Sequence, residues 1–214
     1  MMPEKVRFKG KEFYVIFNDP ANMYGLEIRS EGLQSILDLD GLADVVEVDA
    51  LFLDNNKITA IEGLEGLSNL RMLNLSNNHI AEIKGLEKLT NLESLNLSYN
   101  RITTIQGLEC LESLSHLNLS HNKIEKISGL DSLTGLHHLN LRYNDIKKIE
   151  GMDNLVEMRS LMLENNKIKT IGGLSAMKNL IELNLLGNPI PDDELKRRGG
   201  LNPDGYANEP KKFV

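Results

Sequence analysis

Seven asparagines stand 22 residues apart, Asn56, Asn78, Asn100, Asn122, Asn144, Asn166 and Asn188, with no slip between them. The same apolar frame surrounds each one. It reads Leu70-x-x-Leu73-Asn74-Leu75-x-x-Asn78-x-Ile80 in one unit and Leu92-x-x-Leu95-Asn96-Leu97-x-x-Asn100-x-Ile102 in the next. A unit this short cannot bury its own apolar side, so a fixed period forces neighbouring units to stack into a solenoid with one shared core. No other feature constrains the fold as strongly.

Within a unit, Leu73-Asn74-Leu75 alternates apolar and polar, which predicts a short strand with leucine inward and asparagine outward. Strands repeated at a uniform period run parallel, about 4.8 Å apart. Asn78 falls where the chain leaves the strand. Its amide carries both donor and acceptor, so the asparagine column can satisfy buried backbone groups of adjacent coils. Ile80 and Ile83 cover the core on the way back. Gly85-Leu86 then opens a turn ending near Leu89, long enough for a 3-10 turn and too short for an α-helix. Leu70, Leu73, Leu75, Ile80, Ile83, Leu86 and Leu89 give seven inward positions per coil.

The ends depart from this pattern. Residues 1–41 are expected to form an N-terminal cap. Residues 6–8 and 13–16 are strand-like and flank a Lys9-Gly10 turn, which predicts a β-hairpin over the edge of the first strand. Residues 18–25 read as a loop, and Ser30 as the N-cap of a short helix reaching Asp38. Ile36, Leu39, Gly41, Leu42, Val45 and Val48 lie 22 residues before Ile58, Ile61, Gly63, Leu64, Leu67 and Leu70, so the cap grades into a degenerate first repeat. Residues 42–190 form the repeat domain and 191–214 a C-terminal cap. That cap holds a short helix over 192–198 and a turn at Asn202-Pro203-Asp204-Gly205. All six prolines (Pro3, Pro20, Pro189, Pro191, Pro203 and Pro210) fall at or beyond the edges of the repeat domain, which supports these boundaries.

A net charge of -7 and a pI near 5.3 oppose nucleic acid or an anionic membrane as principal partner. No apolar run approaches the length of a membrane span, and residues 1–11 lack a signal-peptide core. The single cysteine, Cys110, excludes an internal disulfide. The expectation is an intracellular, cytoplasmic monomer.

The unit Asn-x-Ile-x-x-Ile-x-Gly-Leu-x-x-Leu-x-x-Leu-x-x-Leu-x-Leu, as over residues 78–97, resembles the 22-residue leucine-rich-repeat class typified by the regulatory subunit of type-1 protein phosphatase. A spliceosomal protein, a tubulin-folding cofactor, an axonemal dynein light chain and bacterial internalins carry closely similar repeats. The resemblance spans about residues 39–190. It implies a β-rich α/β leucine-rich-repeat solenoid, with a curved parallel sheet on the concave face and short 3-10 turns on the convex face. It also implies a partner protein bound on the concave side.

Four outward columns can carry such binding. Counted back from each repeat asparagine, the sixth residue is His116 or His138 in the middle coils and the fourth is Asn118, Asn140 or Met162. The second is Arg142 or Glu164, and the first gives Tyr99, His121 and Tyr143. The predicted partner site is therefore Tyr99, His116, His121, His138, Arg142 and Tyr143, flanked by Met162 and Glu164. Tyrosine and arginine are common interface anchors, and histidine would make the affinity pH-dependent between about pH 5.5 and 7.5.

His116 and His138, with His137 and His121 near, invite a metal reading, but no carboxylate or thiol completes a ligand set; no metal or cofactor is expected. No phosphate loop, H-E-x-x-H or nucleophile elbow occurs, so the chain reads as non-enzymatic. The acidic column Glu65, Glu87, Glu109, Asp131 and Asp153 suits the free N–H groups opening each turn. Lys57, His79, Arg101, Lys123 and Lys167 form a basic column just past the asparagines, read as a solvated edge that could receive an acidic segment. The sequons at Asn74, Asn96 and Asn118 lie inside strands, and Asp38-Leu39-Asp40-Gly41 lacks calcium-loop spacing. The leading expectation is a protein-interaction scaffold, to which the resemblance to the phosphatase subunit adds a regulatory role. The alternative is an architectural subunit docking through its acidic convex side or its C-terminal tail.

Overall fold

The computed structural model describes residues 5–18, 22–45 and 47–214. Its backbone is a series of stacked coils, each contributing one three-residue strand to a common parallel sheet: β5 (Ala50–Phe52), β6 (Met72–Asn74), β7 (Ser94–Asn96), β8 (His116–Asn118), β9 (His138–Asn140), β10 (Ser160–Met162) and β11 (Glu182–Asn184). Pairing places Leu51, Leu73, Leu95, Leu117, Leu139, Leu161 and Leu183 side by side. All seven are buried in a single apolar cluster that runs the length of the molecule. The return path closes each coil with consecutive i to i+3 bonds, Leu89 N–H to Leu86 and Leu92 N–H to Leu89 in one example.

Two residue types hold neighbouring coils in register. The Asn122 Oδ1 accepts the Ile102 N–H at 2.9 Å, while its Nδ2 donates to the carbonyls of Leu97 and Leu119, both at 3.0 Å. The same set recurs at Asn78, Asn100, Asn144 and Asn166. Each side chain thus satisfies one buried N–H and bonds two buried carbonyls that it shares with the asparagines of the adjoining coils. The glycine opening each turn is fixed for a different reason. Gly107 sits at φ 68°, and a Cβ there would lie 2.5 Å from the Ile83 carbonyl oxygen of the preceding coil.

The N-terminal cap differs from its sequence reading in two places. β1 (Lys5–Phe8) and β2 (Lys11–Tyr14) form the hairpin, but as a separate two-stranded sheet that lays Val6 and Phe8 on the end of the core. The chain then continues as β3 (Ile16–Asn18), antiparallel to β4 (Met23–Glu27), and β4 pairs parallel with β5. Much of the stretch read as a loop over 18–25 is therefore strand; its polar, glycine-containing composition is overridden by an open sheet edge. Pro20, central to that reading, lies outside the described residues. No helix starts at Ser30 either. Ser30 sits at φ 57°, and it is Ser35 that caps a 3-10 turn at Ile36–Asp38.

The first coil is also longer than the period. Leu26 pairs with Leu51, an offset of 25, where later strands keep 22 (Leu51 to Leu73). It makes six buried apolar steps, Leu33, Ile36, Leu39, Leu42, Val45 and Val48, where a full repeat such as Ile58, Ile61, Leu64, Leu67 and Leu70 makes five. Steps of three conceal an insertion of three.

At the other end α1 (Asp192–Arg197) follows the last coil. The tail then folds back along β11: Ala207 N–H donates to the Leu183 carbonyl, and Leu185 N–H to that of Gly205. Phe213 closes the end of the core at 2% exposure. The tail is packed against the last coil.

Candidate functional site

The residue before each repeat asparagine has left-handed backbone: Asn55, Asn77, Tyr99, His121, Tyr143 and Asn165 at φ 53–59°, and Gly187 at 73°. Glycine and asparagine take this conformation readily. Bulkier side chains pay about 1–2 kcal/mol for it. The repeat imposes the geometry on every coil, yet three consecutive coils place an aromatic ring there.

Those three rings form a ladder. Tyr99 stacks on His121 at 3.9 Å between centroids and 10° between planes, and His121 on Tyr143 at 4.3 Å and 15°. The stack covers both faces of His121 and one face of each tyrosine, so His121 presents its edge and nitrogens to solvent while the tyrosines present their edges and hydroxyls. Tyr99 and Tyr143 are nonetheless about half exposed. Burial pulls the His121 pKa below the ordinary histidine value, so its ring is neutral at neutral pH.

On the sheet face itself His116 and His138 pair across β8 and β9 and stack at 4.5 Å and 14°. They line a shallow hollow of about 280 Å³ with Asn96, Asn118, Asn140, Ser160 and Met162. Burial, then the neighbouring His138 and His137, lowers the His116 pKa; the Ser115 hydroxyl lies 2.8 Å from its Nδ1. Asn96, Asn118 and Asn140 use their Oδ1 atoms on the N–H two residues ahead, which shapes the exit from the strand. Their outward position therefore serves the local turn as well as the face.

Arg142 and Glu164 are already committed. The Arg142 Nε lies 2.5 Å from the Glu164 carboxylate, and Glu164 is only 8% exposed. One terminal nitrogen of Arg142 is 3.4 Å from the Met162 sulfur and 3.4 Å from the Tyr206 hydroxyl. The pair bridges adjacent coils and the C-terminal tail, so Arg142 is not a free anchor for an incoming acid. The predicted residues thus separate into three groups: the rim ladder Tyr99–His121–Tyr143, the facial pair His116–His138, and the internal Arg142–Glu164 bridge beside Met162. Among the described residues no cluster of three or more histidine, cysteine, aspartate or glutamate side chains could hold a metal ion. Cys110 is exposed as a free thiol.

One surface escaped sequence reasoning. Phe13, Tyr14, Ile16, Phe17, Phe52 and Met72 line a hollow of about 700 Å³ at the N-terminal end of the sheet. β3 is the outermost strand there and is exposed throughout. Only the unexpected β3–β4 pairing creates this surface. The alternating Phe13, Val15, Phe17 against Tyr14, Ile16 was the one available hint.

A parallel sheet built from stacked, repeating coils defines a solenoid protein. The chain belongs to the leucine-rich-repeat family: the family described as "Leucine Rich repeats (2 copies)" matches residues 46–88, 68–110, 90–132, 112–155 and 156–197. Among solved structures it is similar to internalin C2 of Listeria monocytogenes, with 30% identity, a TM-score of 0.72, and coverage of 78% of this chain and 73% of that one. It is also similar to the internalin InlF of the same organism, with 29% identity, a TM-score of 0.68, and 75% and 47% coverage. A leucine-rich-repeat protein of Leptospira interrogans matches at 28% identity and a TM-score of 0.62, over 81% and 51%. The chain thus spans about half the length of the latter two. Comparison with curated protein sequences gives no match. Among the described residues no helix is long and apolar enough to cross a membrane.

Proposed function

We propose that this protein is a non-enzymatic interaction module that holds a partner protein against the middle coils, through the Tyr99–His121–Tyr143 rim and the adjoining His116–His138 hollow. Membership of a family of interaction scaffolds supports the general role. The observation that carries the site is the aromatic ladder on left-handed backbone. Asparagine or glycine occupies that position in the flanking coils, so rings are kept in the middle against local preference, as expected where strain serves function. The tyrosines supply rigid contact area with little entropy to lose. A cytoplasmic setting suits a lone exposed thiol with no partner for a disulfide. A regulatory role of the phosphatase-subunit kind rests on repeat resemblance alone.

The test is affinity capture with wild-type protein against a Tyr99→Asn/Tyr143→Asn variant, since asparagine suits the backbone and preserves the fold. A protein retained by the wild type and lost from the variant supports the site; equal retention refutes it. The architectural alternative, docking by the convex acidic column, predicts the reverse pattern: loss on charge reversal at Glu87, Glu109 and Asp131. Part of that column has a local role already, because the Glu87 and Glu109 carboxylates accept the N–H groups of Gly85 and Gly107.

A further inference from the structure

The charge pattern around the ladder specifies its partner more closely. Two residues beyond Tyr99 and His121 stand Arg101 and Lys123, both exposed. The acids along the same flank are all answered from within the protein: Asp145 by Lys167 at 2.7 Å, Glu125 by Lys147 at 2.5 Å and Glu150 by Lys126 at 3.7 Å. Among the described residues no carboxylate lies within ion-pairing distance of Arg101 or Lys123, which leaves two uncompensated cations beside the rings on a chain of net charge -7.

The rings point the same way. With both faces of His121 and one face of each tyrosine covered, the ladder offers mainly the electropositive ring edges and the donors at their tips. In the neighbouring hollow Asn96, Asn118 and Asn140 spend their Oδ1 acceptors on the backbone, so the amide NH₂ donors are what they offer outward. A surface of donors, ring edges and free cations is complementary to acceptors and negative charge.

We propose that the rim and hollow receive an extended acidic peptide segment of the partner, its carboxylates meeting Arg101, Lys123 and the ring-edge donors. This deepens the proposed interaction site and rests on it. Single-stranded RNA is the competing polyanion, and the net charge of -7 disfavours it by repelling a long polyanion.

Selection of random dodecapeptides on the 214-residue protein, with a random single-stranded RNA pool in parallel, tests the inference. The expected result is enrichment of Asp- and Glu-rich peptides by the wild type, with affinity for a selected peptide falling at least about tenfold in Arg101→Glu/Lys123→Glu. Peptides enriched without acidic bias, or RNA retained in preference to peptide, would overturn the acidic-segment inference and leave the site standing. Peptides enriched equally by wild type and Tyr99→Asn/Tyr143→Asn would instead sink the site itself. Unchanged circular dichroism and Tm in the charge-reversed variant confirm that only the surface was altered.

Discussion

Two columns one residue apart along the chain follow opposite rules. The repeat asparagines are identical in seven coils, and the six from Asn78 to Asn188 show one shared hydrogen-bond set, each tying its coil to the one before. The column immediately before them shares one backbone conformation but not one residue: Asn, Asn, Tyr, His, Tyr, Asn, Gly. Burial explains the contrast. An asparagine at 5–9% exposure is fixed by a buried N–H with no other acceptor and by two carbonyls it shares with its neighbours in the column, whereas the rim side chain projects into solvent and the fold requires only its φ. The first column records what the solenoid needs. The second is free to record what the protein does.

The sharpest way to break that contrast is Asn122→Ala. It orphans the Ile102 N–H and removes one of the two amide bonds to each of the Leu97 and Leu119 carbonyls, which keep Asn100 and Asn144. At about 1–3 kcal/mol for the orphaned group and about 0.5–1.5 kcal/mol for each bond lost, the loss should be about 4 kcal/mol in urea unfolding. A loss below about 1 kcal/mol would mean that water replaces the amide and that the column is not the register device described. Gly107→Ala comes next. It forces left-handed backbone on a residue whose Cβ meets the Ile83 carbonyl oxygen, and should cost about 3 kcal/mol. Gly10→Ala, where the added Cβ meets nothing within 4 Å, should cost clearly less.

The rim should respond weakly. His116 and His121 are held below the usual histidine pKa by burial, so the folded state favours their neutral forms. Their stabilising contribution is complete above the unfolded value near 6.5, falls as pH drops below it, and levels off below the depressed folded values. Both rings are largely solvated, so the fall in Tm between pH 7 and 5 should stay under about 2 °C, and His116→Gln/His121→Gln should flatten it. An unaltered slope in that variant would place the pH response elsewhere. Smallest of all, Tyr99→Asn/Tyr143→Asn should leave Tm within about 2 °C of wild type or raise it, because left-handed strain is relieved as stacking is lost. A large fall would show the ladder to be structural and would remove the main reason for reading it as a site.

How much of this was legible beforehand depended on whether a feature repeats. Strand positions, the parallel register, the inward leucines and the C-terminal helix follow from the period and from its break at Pro189-Ile190-Pro191. The first coil did not follow, because three extra residues in a stair of three-residue steps leave the apolar pattern intact. The strand at Met23–Glu27 was hidden by composition that suits a loop and by a need for pairing that only a neighbouring edge creates. Candidate residues were legible as columns but not as contacts. Spacing put Arg142 and Glu164 on one surface, and could not say that they pair with each other rather than with a visitor.

The 22-residue period by itself determined the solenoid, since identical short units can bury their leucines only against one another. Which outward side chains touch depends on rotamers and on the closing tail, neither of which a period encodes. That the rings stack edge-outward, that Tyr206 returns to Arg142, and that Arg101 and Lys123 keep their charge uncompensated were decided only when the coils came together in space.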